Sequence, residues 1–202
     1  ALGDHFPFWV RRLDAVVLIR PSRRQIDGLL PILDRYPPAL VLTMTSGSDE
    51  DTLAFLQTEL DKQAVPVLEA APGQRIVVAD GVTLSLFRAA ATGSPETPGT
   101  VVIEYGRARL LLLHDAEAHH FARLLAEPAL RDPAVLISDE PREPAVLDAL
   151  LGALRPAILV LTPRGERSEA GQTYTSTTVQ ALVTTRERGD VTLVSDGKRL
   201  WI

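Results

Sequence analysis

Residues 12–29 read RLDAVVLIRPSRRQIDGL. The continuous apolar run Ala15–Ile19, rich in β-branched residues, predicts a buried strand. Arg20-Pro21 stops it, because proline has no N–H to give a ladder. Ile26, Leu29, Leu30 and Leu33 then recur at helical spacing, so a helix is expected over Gln25–Arg35. A strand, a short loop and a helix in that order open a βα unit, and the alternation continues downstream.

Leu40–Thr43 reads as a second strand and Val65–Leu68 as a third. Between them Ser48 can cap a helix over Asp49–Lys62, with Asp51 near the capping-box place. The middle of the chain changes character. Arg75–Val78 and Val82–Phe87 flank Asp80-Gly81, a strong hairpin signal. Thr100–Glu104 and Arg109–Leu113 flank Gly106-Arg107 in the same way. Residues 92–99 form a loop by composition. The last third predicts a helix at Ala116–Leu125, a strand at Val135–Ile137, a helix at Ala145–Leu154 and a strand at Ala157–Leu161. A helix at Thr177–Val183 is expected next. A closing hairpin of Val191–Val194 and Leu200–Ile202 turns at Asp196-Gly197. The fold class is α/β (α+β mixed), a mixed sheet covered by helices, in one domain over residues 1–202.

Hydrophobic residues make up 46% of the 202 and aromatic ones 5%, so the core is built from Leu, Val, Ala and Ile. The formal net charge is -5. The chain as a whole thus lacks the basic excess by which proteins grip a phosphate backbone, and only a local patch can serve that purpose. There is no cysteine, which excludes disulfides and thiolate metal sites. No apolar run reaches the roughly 18 to 20 residues that span a bilayer, so a soluble domain is expected.

Several landmarks together resemble one family, the metallo-β-lactamase-like domain of ComEC-type DNA-uptake (competence) membrane proteins. They are Leu2-Gly3, Phe6-Pro7-Phe8-Trp9, Arg12-Leu13-Asp14, Val16-Val17-Leu18 and Ile26-Asp27-Gly28-Leu29. Further on come Gly73-Gln74, Asp80-Gly81-Val82-Thr83-Leu84 and Leu112-Leu113-His114-Asp115-Ala116-Glu117, then Val135-Leu136 and Arg155-Pro156-Ala157-Ile158-Leu159-Val160. Gly189-Asp190-Val191 and Ser195-Asp196-Gly197-Lys198-Arg199-Leu200-Trp201-Ile202 close the series. The ordered set, and no single member, carries the resemblance. It implies an αββα sandwich. The family's opening strands have no counterpart here, so an N-terminally truncated domain is expected, a fragment of a larger membrane-embedded parent chain, placed outside the cytoplasm. A sheet missing those strands has an open edge, expected to be covered by a second copy (a homo-oligomer) or by rearranged segments.

The intact fold uses two metal ions, usually zinc, to hold and deprotonate a water. Its ligands come from an H-x-H-x-D-H loop, later histidines and a bridging Asp. At the loop positions this chain has Arg20, Ser22, Arg24 and Gln25, and the later His-His pair falls near Glu140-Pro141. Guanidinium has no lone pair to donate and stays charged. Only the bridging acid has a counterpart, Asp115, which reads first as the N-cap of the following helix, and otherwise as an uncommitted surface acid or as part of a remnant cation site with Asp139 and Glu140. The resemblance therefore implies a degenerate active site with no metal or other cofactor: a non-catalytic binding or structural module. The alternative is a metal-dependent hydrolase or nuclease with a displaced site near Asp115 and Glu140.

Arg20, Arg23 and Arg24, between a strand end and a helix start, are the candidate residues for an anion or DNA partner. Drift after loss of a metal explains them as well. His119 and His120 are adjacent and on a helix point about 100° apart, so they do not chelate together. His114 beside Asp115 lacks any nucleophile motif and reads as an ordinary side chain.

Overall fold

The computed structural model describes residues 9–19, 21–44, 50–71, 73–78, 81–88, 99–114, 130–141, 144–163 and 179–202; for Arg24, Gln25, Arg88 and Pro144 it describes the backbone alone. Of the expected loop at 92–99, residues 92–98 lie outside these residues and Gly99 opens a strand instead; the Ser48 cap and the helix at Ala116–Leu125 also lie outside them. The chain divides into two compact units. One is formed by residues 1–71 with 91–97, the other by 72–90 with 98–202.

The first unit is two consecutive βαβ turns. Strand β1 (Val16–Leu18) leads into helix α1 (Arg23–Arg35), strand β2 (Val41–Thr43), helix α2 (Glu50–Lys62) and strand β3 (Val67–Glu69). The strands are parallel in the order β1-β2-β3, with Val16 opposite Val41 and Val41 opposite Val67. Parallel neighbours need a crossover, and the two helices supply it. Ile26 and Leu33 of α1 meet Leu56 and Leu60 of α2 in one buried cluster with Val41 and Val65. The helical spacing read from the sequence is the spacing that fills this core.

The second unit holds a seven-stranded sheet in the order β10-β9-β8-β7-β6-β5-β4. Its strands are β4 (Gln74–Val77), β5 (Val82–Arg88), β6 (Gly99–Tyr105), β7 (Ala108–Leu113), β8 (Val135–Asp139), β9 (Ile158–Thr162) and β10 (Ala181–Thr184). From β4 to β7 every pairing is antiparallel, and from β7 to β10 every pairing is parallel. The hairpins turn where the sequence places them, with Gly81 at φ 80° and Gly106 at φ 58°, a region open to glycine at little cost.

Helix α3 (Pro144–Leu154) bridges β8 and β9. Its Val146, Leu147, Leu150, Leu151 and Leu154 form an apolar stripe, buried against Leu136 and Leu159 among others.

The helix expected over Thr177–Val183 gives way to a strand. Residues 181–184 form β10, parallel to β9 with Ala181 opposite Ile158 and Thr184 opposite Leu161. β-Branched Val183 and Thr184 suit an extended, half-buried edge, and the helix comes later, as the single turn α4 (Thr185–Arg188). Residues 177 and 178 lie outside the described residues.

Strands β11 (Val194–Ser195) and β12 (Leu200–Trp201) form the closing hairpin. Its turn is fixed by Asp196, whose Oδ1 accepts the backbone N–H of Arg199 at 2.7 Å and of Lys198 at 2.8 Å. The Arg199 and Lys198 amides hold the Asp196 carboxyl below its ordinary value, because they stabilise the charged form. The hairpin is clasped to the β6–β7 turn. Arg107 N–H donates to the Gly197 carbonyl at 2.6 Å, and the Gly197 backbone lies where a β-carbon on Gly106 would be.

Candidate functional site

In open α/β sheets, chemistry gathers at the carboxyl ends of parallel strands, where loops leave the sheet. Here those ends belong to β7, β8 and β9. The register puts Leu113 beside Ser138 and Ser138 beside Leu161, with all three buried. One step further along each strand, side chains switch to the opposite face. That step brings His114, Asp139 and Thr162 together in adjacent positions.

The three make a connected network. His114 Nδ1 lies 2.6 Å from Asp139 Oδ2, and the Thr162 hydroxyl donates to Asp139 Oδ1 at 2.8 Å. Both carboxylate oxygens are thus engaged. The His114 and Asp139 side chains are 35% and 24% exposed, so the pair sits at the rim of the sheet, within reach of solvent. Backbone contacts fix it from behind. Ser138 Oγ donates to the Asp139 carbonyl at 2.9 Å, and Glu140 N–H donates to the Thr162 carbonyl at 2.8 Å. A carboxylate at Nδ1 holds an imidazole in one orientation. Glu140 is half-buried and Pro141 is buried beside it. His114, Asp139 and Glu140 each make further interactions.

In the first unit, the loop between β1 and α1 is the corresponding strand end. Pro21 is buried, Ser22 is exposed, and Arg23 opens the helix. The Arg23 guanidinium stacks 3.5 Å from the centre of the Phe55 ring and reaches Asp27 Oδ1 at 3.3 Å, one helical turn on. Phe55 of α2 thus holds the guanidinium while the side chain stays 58% exposed. Arg20 and Asp115 lie outside the described residues. The side chains of Arg24 and Gln25 do too, their backbone lying in α1.

Among the described residues, no three His, Cys, Asp or Glu side chains come together as a metal site does. The sequence offers Asp139 and Glu140 as acids of a remnant cation site and His114 as an ordinary side chain; the structure joins His114 to Asp139 and adds Thr162. The sequence carries only part of a signal for this, since the register of the strands is not local. Each of these residues directly follows or ends an apolar strand run, and parallel strands bring such positions level.

No family model and no curated protein matches the chain. Solved structures do. The metallo-β-lactamase fold protein YhfI from Bacillus subtilis is 14% identical and superposes with a TM-score of 0.59, covering 99% of this chain and 82% of its own. The zinc-bound PqqB from Methylobacterium extorquens is 17% identical with a TM-score of 0.42, over 61% of this chain and 44% of its own. With mixed strands, βαβ crossovers and near-complete coverage by the first of these, the chain has the metallo-β-lactamase fold.

Proposed function

We propose that this chain is a non-catalytic metallo-β-lactamase-fold domain, a binding or structural module of a ComEC-like DNA-internalisation protein. The observation that carries the reading is the state of the Asp139 carboxylate. Each of its oxygens takes part in a contact, Oδ2 with His114 and Oδ1 with Thr162, which supports a place in an internal network of strand-end side chains. The strand-end loop of the first unit points the same way. Arg20, Ser22, Arg24 and Gln25 stand there in place of an H-x-H-x-D-H set. A guanidinium placed where a dication belongs repels it. These residues do not fit a two-metal centre, and no chemical step is assigned to one.

The role within a DNA-uptake protein rests on the ordered landmarks from Leu2-Gly3 to the closing Ser195–Ile202 phrase. On this reading the domain belongs to a membrane-embedded parent and faces away from the cytoplasm. No helix among the described residues is itself long and apolar enough to cross a membrane. Arg20, Arg23 and Arg24 are the residues that meet phosphate, with Arg23 already propped by Phe55.

Two measurements test the proposal. Protein loaded with zinc and manganese and then dialysed retains well under one equivalent by elemental analysis. Two retained equivalents overturn the reading and leave a hydrolase with its site near Asp115 and Glu140. Anisotropy of a labelled single-stranded oligonucleotide then reports DNA binding. Replacing Arg20, Arg23 and Arg24 by serine lowers affinity and flattens the salt dependence by roughly 0.7 log units per log unit of salt for each phosphate no longer neutralised. An unchanged salt slope rejects the DNA role and leaves an architectural one.

A further inference from the structure

Among the described residues, the seven-stranded sheet ends on β4 at one side and β10 at the other. Val78 N–H donates to the Val82 carbonyl at 2.8 Å, so Val78 and Val82 are a bonded pair. Bonded and non-bonded pairs alternate along an antiparallel ladder. With Ile76 opposite Leu84 and Gln74 opposite Leu86, the bonded positions fall at Ile76 and Gln74. Arg75 and Val77 therefore direct their N–H and C=O groups away from β5, toward the open edge. Their side chains share the exposed face: Val77 is 72% exposed and is followed by Val78 at 37%. Natural edges are blunted by short strands, charged side chains, proline, inward charges or bulges; β4 has no proline and no inward-facing charge, but it is four residues long, carries the outward Arg75, and opens on a bulge where Gly73 N–H donates to the carbonyl of Leu86, the partner of Gln74.

We propose that β4 pairs antiparallel with β4 of a second copy, about a two-fold axis at Ile76. The strand is complementary to itself in this register. Arg75 of each copy faces Val77 of the other, and both N–H and C=O groups of each residue find a partner. The alkyl stem of Arg75 covers the exposed Val77, while the guanidinium stays in water. No two arginines stand opposite one another. At the far edge β10 carries no charge and runs directly into α4, which carries Arg186, Glu187 and Arg188. An isologous contact of this kind closes on itself as a dimer. With so few backbone bonds it is weak and depends on concentration.

Sedimentation velocity over a wide range of protein concentration tests the proposal, with amide exchange read at Arg75 and Val77. A monomer–dimer equilibrium is expected, with these two amides gaining protection as the dimer fills. Val77→Pro removes an N–H that faces solvent in the monomer, a place where an edge strand tolerates proline, so the circular dichroism spectrum stays that of the parent. It deletes half of the intermolecular donors and fixes a ring at the interface, weakening association at least about tenfold, a loss of roughly 1.4 kcal/mol or more. Leu182→Lys on β10 leaves association unchanged. A protein that is monomeric throughout, an association untouched by Val77→Pro, or one weakened equally by Leu182→Lys overturns the proposal.

Discussion

The clasp between the closing hairpin and the β6–β7 turn makes a quantitative prediction through Gly106→Ala. Gly106 has φ 58°, and a β-carbon there lands against the Gly197 carbonyl, 2.8 Å from its carbon and 2.9 Å from the Gly197 α-carbon, with the oxygen nearer still. All three clashing atoms are backbone, so no side-chain rotation relieves them. The left-handed conformation alone costs an alanine about 1 to 2 kcal/mol. Clearing the clash also moves the hairpin away and breaks the Arg107 N–H bond to Gly197, worth about 1 kcal/mol net. The expected total is about 2 to 3 kcal/mol. Gly81→Ala is the internal reference. It has the same sign of φ, at 80°, but meets nothing within 4 Å, so it loses only the conformational part. Urea denaturation of the two variants, followed by far-ultraviolet circular dichroism, gives the difference, about 1 kcal/mol or more in favour of Gly81→Ala. In the same samples the Arg107 amide exchanges faster only in Gly106→Ala. Equal losses in the two variants, with Arg107 still protected, refute the clasp as a stabilising interaction.

Two more outcomes follow from polar groups. The folded-state pKa of Asp196 is lowered, so its contribution to the hairpin is present above the ordinary carboxylate pKa and is lost as pH falls through the lower folded value; Trp201 fluorescence in a Trp9→Phe background shows an acid transition that Asp196→Ala abolishes, and a transition surviving in that variant assigns it elsewhere. Thr100 is fully buried on β6 and its hydroxyl has no hydrogen-bond partner among the described residues, so Thr100→Val raises stability by about 1 kcal/mol; a loss of stability in urea shows that the hydroxyl is satisfied by water.

The turns are legible in the sequence because their residues carry the geometry themselves. Asp80-Gly81, Gly106-Arg107 and Asp196-Gly197 all close hairpins where glycine takes a positive φ. Helices α1 and α3 announce themselves through apolar spacing that matches their buried faces. β10 does not, because Val179, Ala181, Leu182 and Val183 are too few to separate a period of 3.6 from a period of 2, and what decides the matter is the neighbouring β9. The meeting of His114 with Asp139 and Thr162 is hidden for a related reason. It depends on the register of three strands joined by long crossovers, and no local pattern encodes that register. The sequence draws attention instead to Asp115 and to Arg20–Gln25, where the resemblance places the chemistry.

The closing hairpin also has a meaning for how the chain is made. Every strand of the seven-stranded sheet has left the ribosome once Thr184 is synthesised and extruded, yet the β6–β7 turn still lacks the Gly197 carbonyl that receives the Arg107 amide. On a nascent chain the sheet therefore assembles with one corner unlatched, and residues 194–201 act as a late bolt. A nascent chain held with Thr184 outside the exit tunnel and residues 194–201 still inside it has its sheet pairing complete and its last turn still exposed to proteases and chaperones.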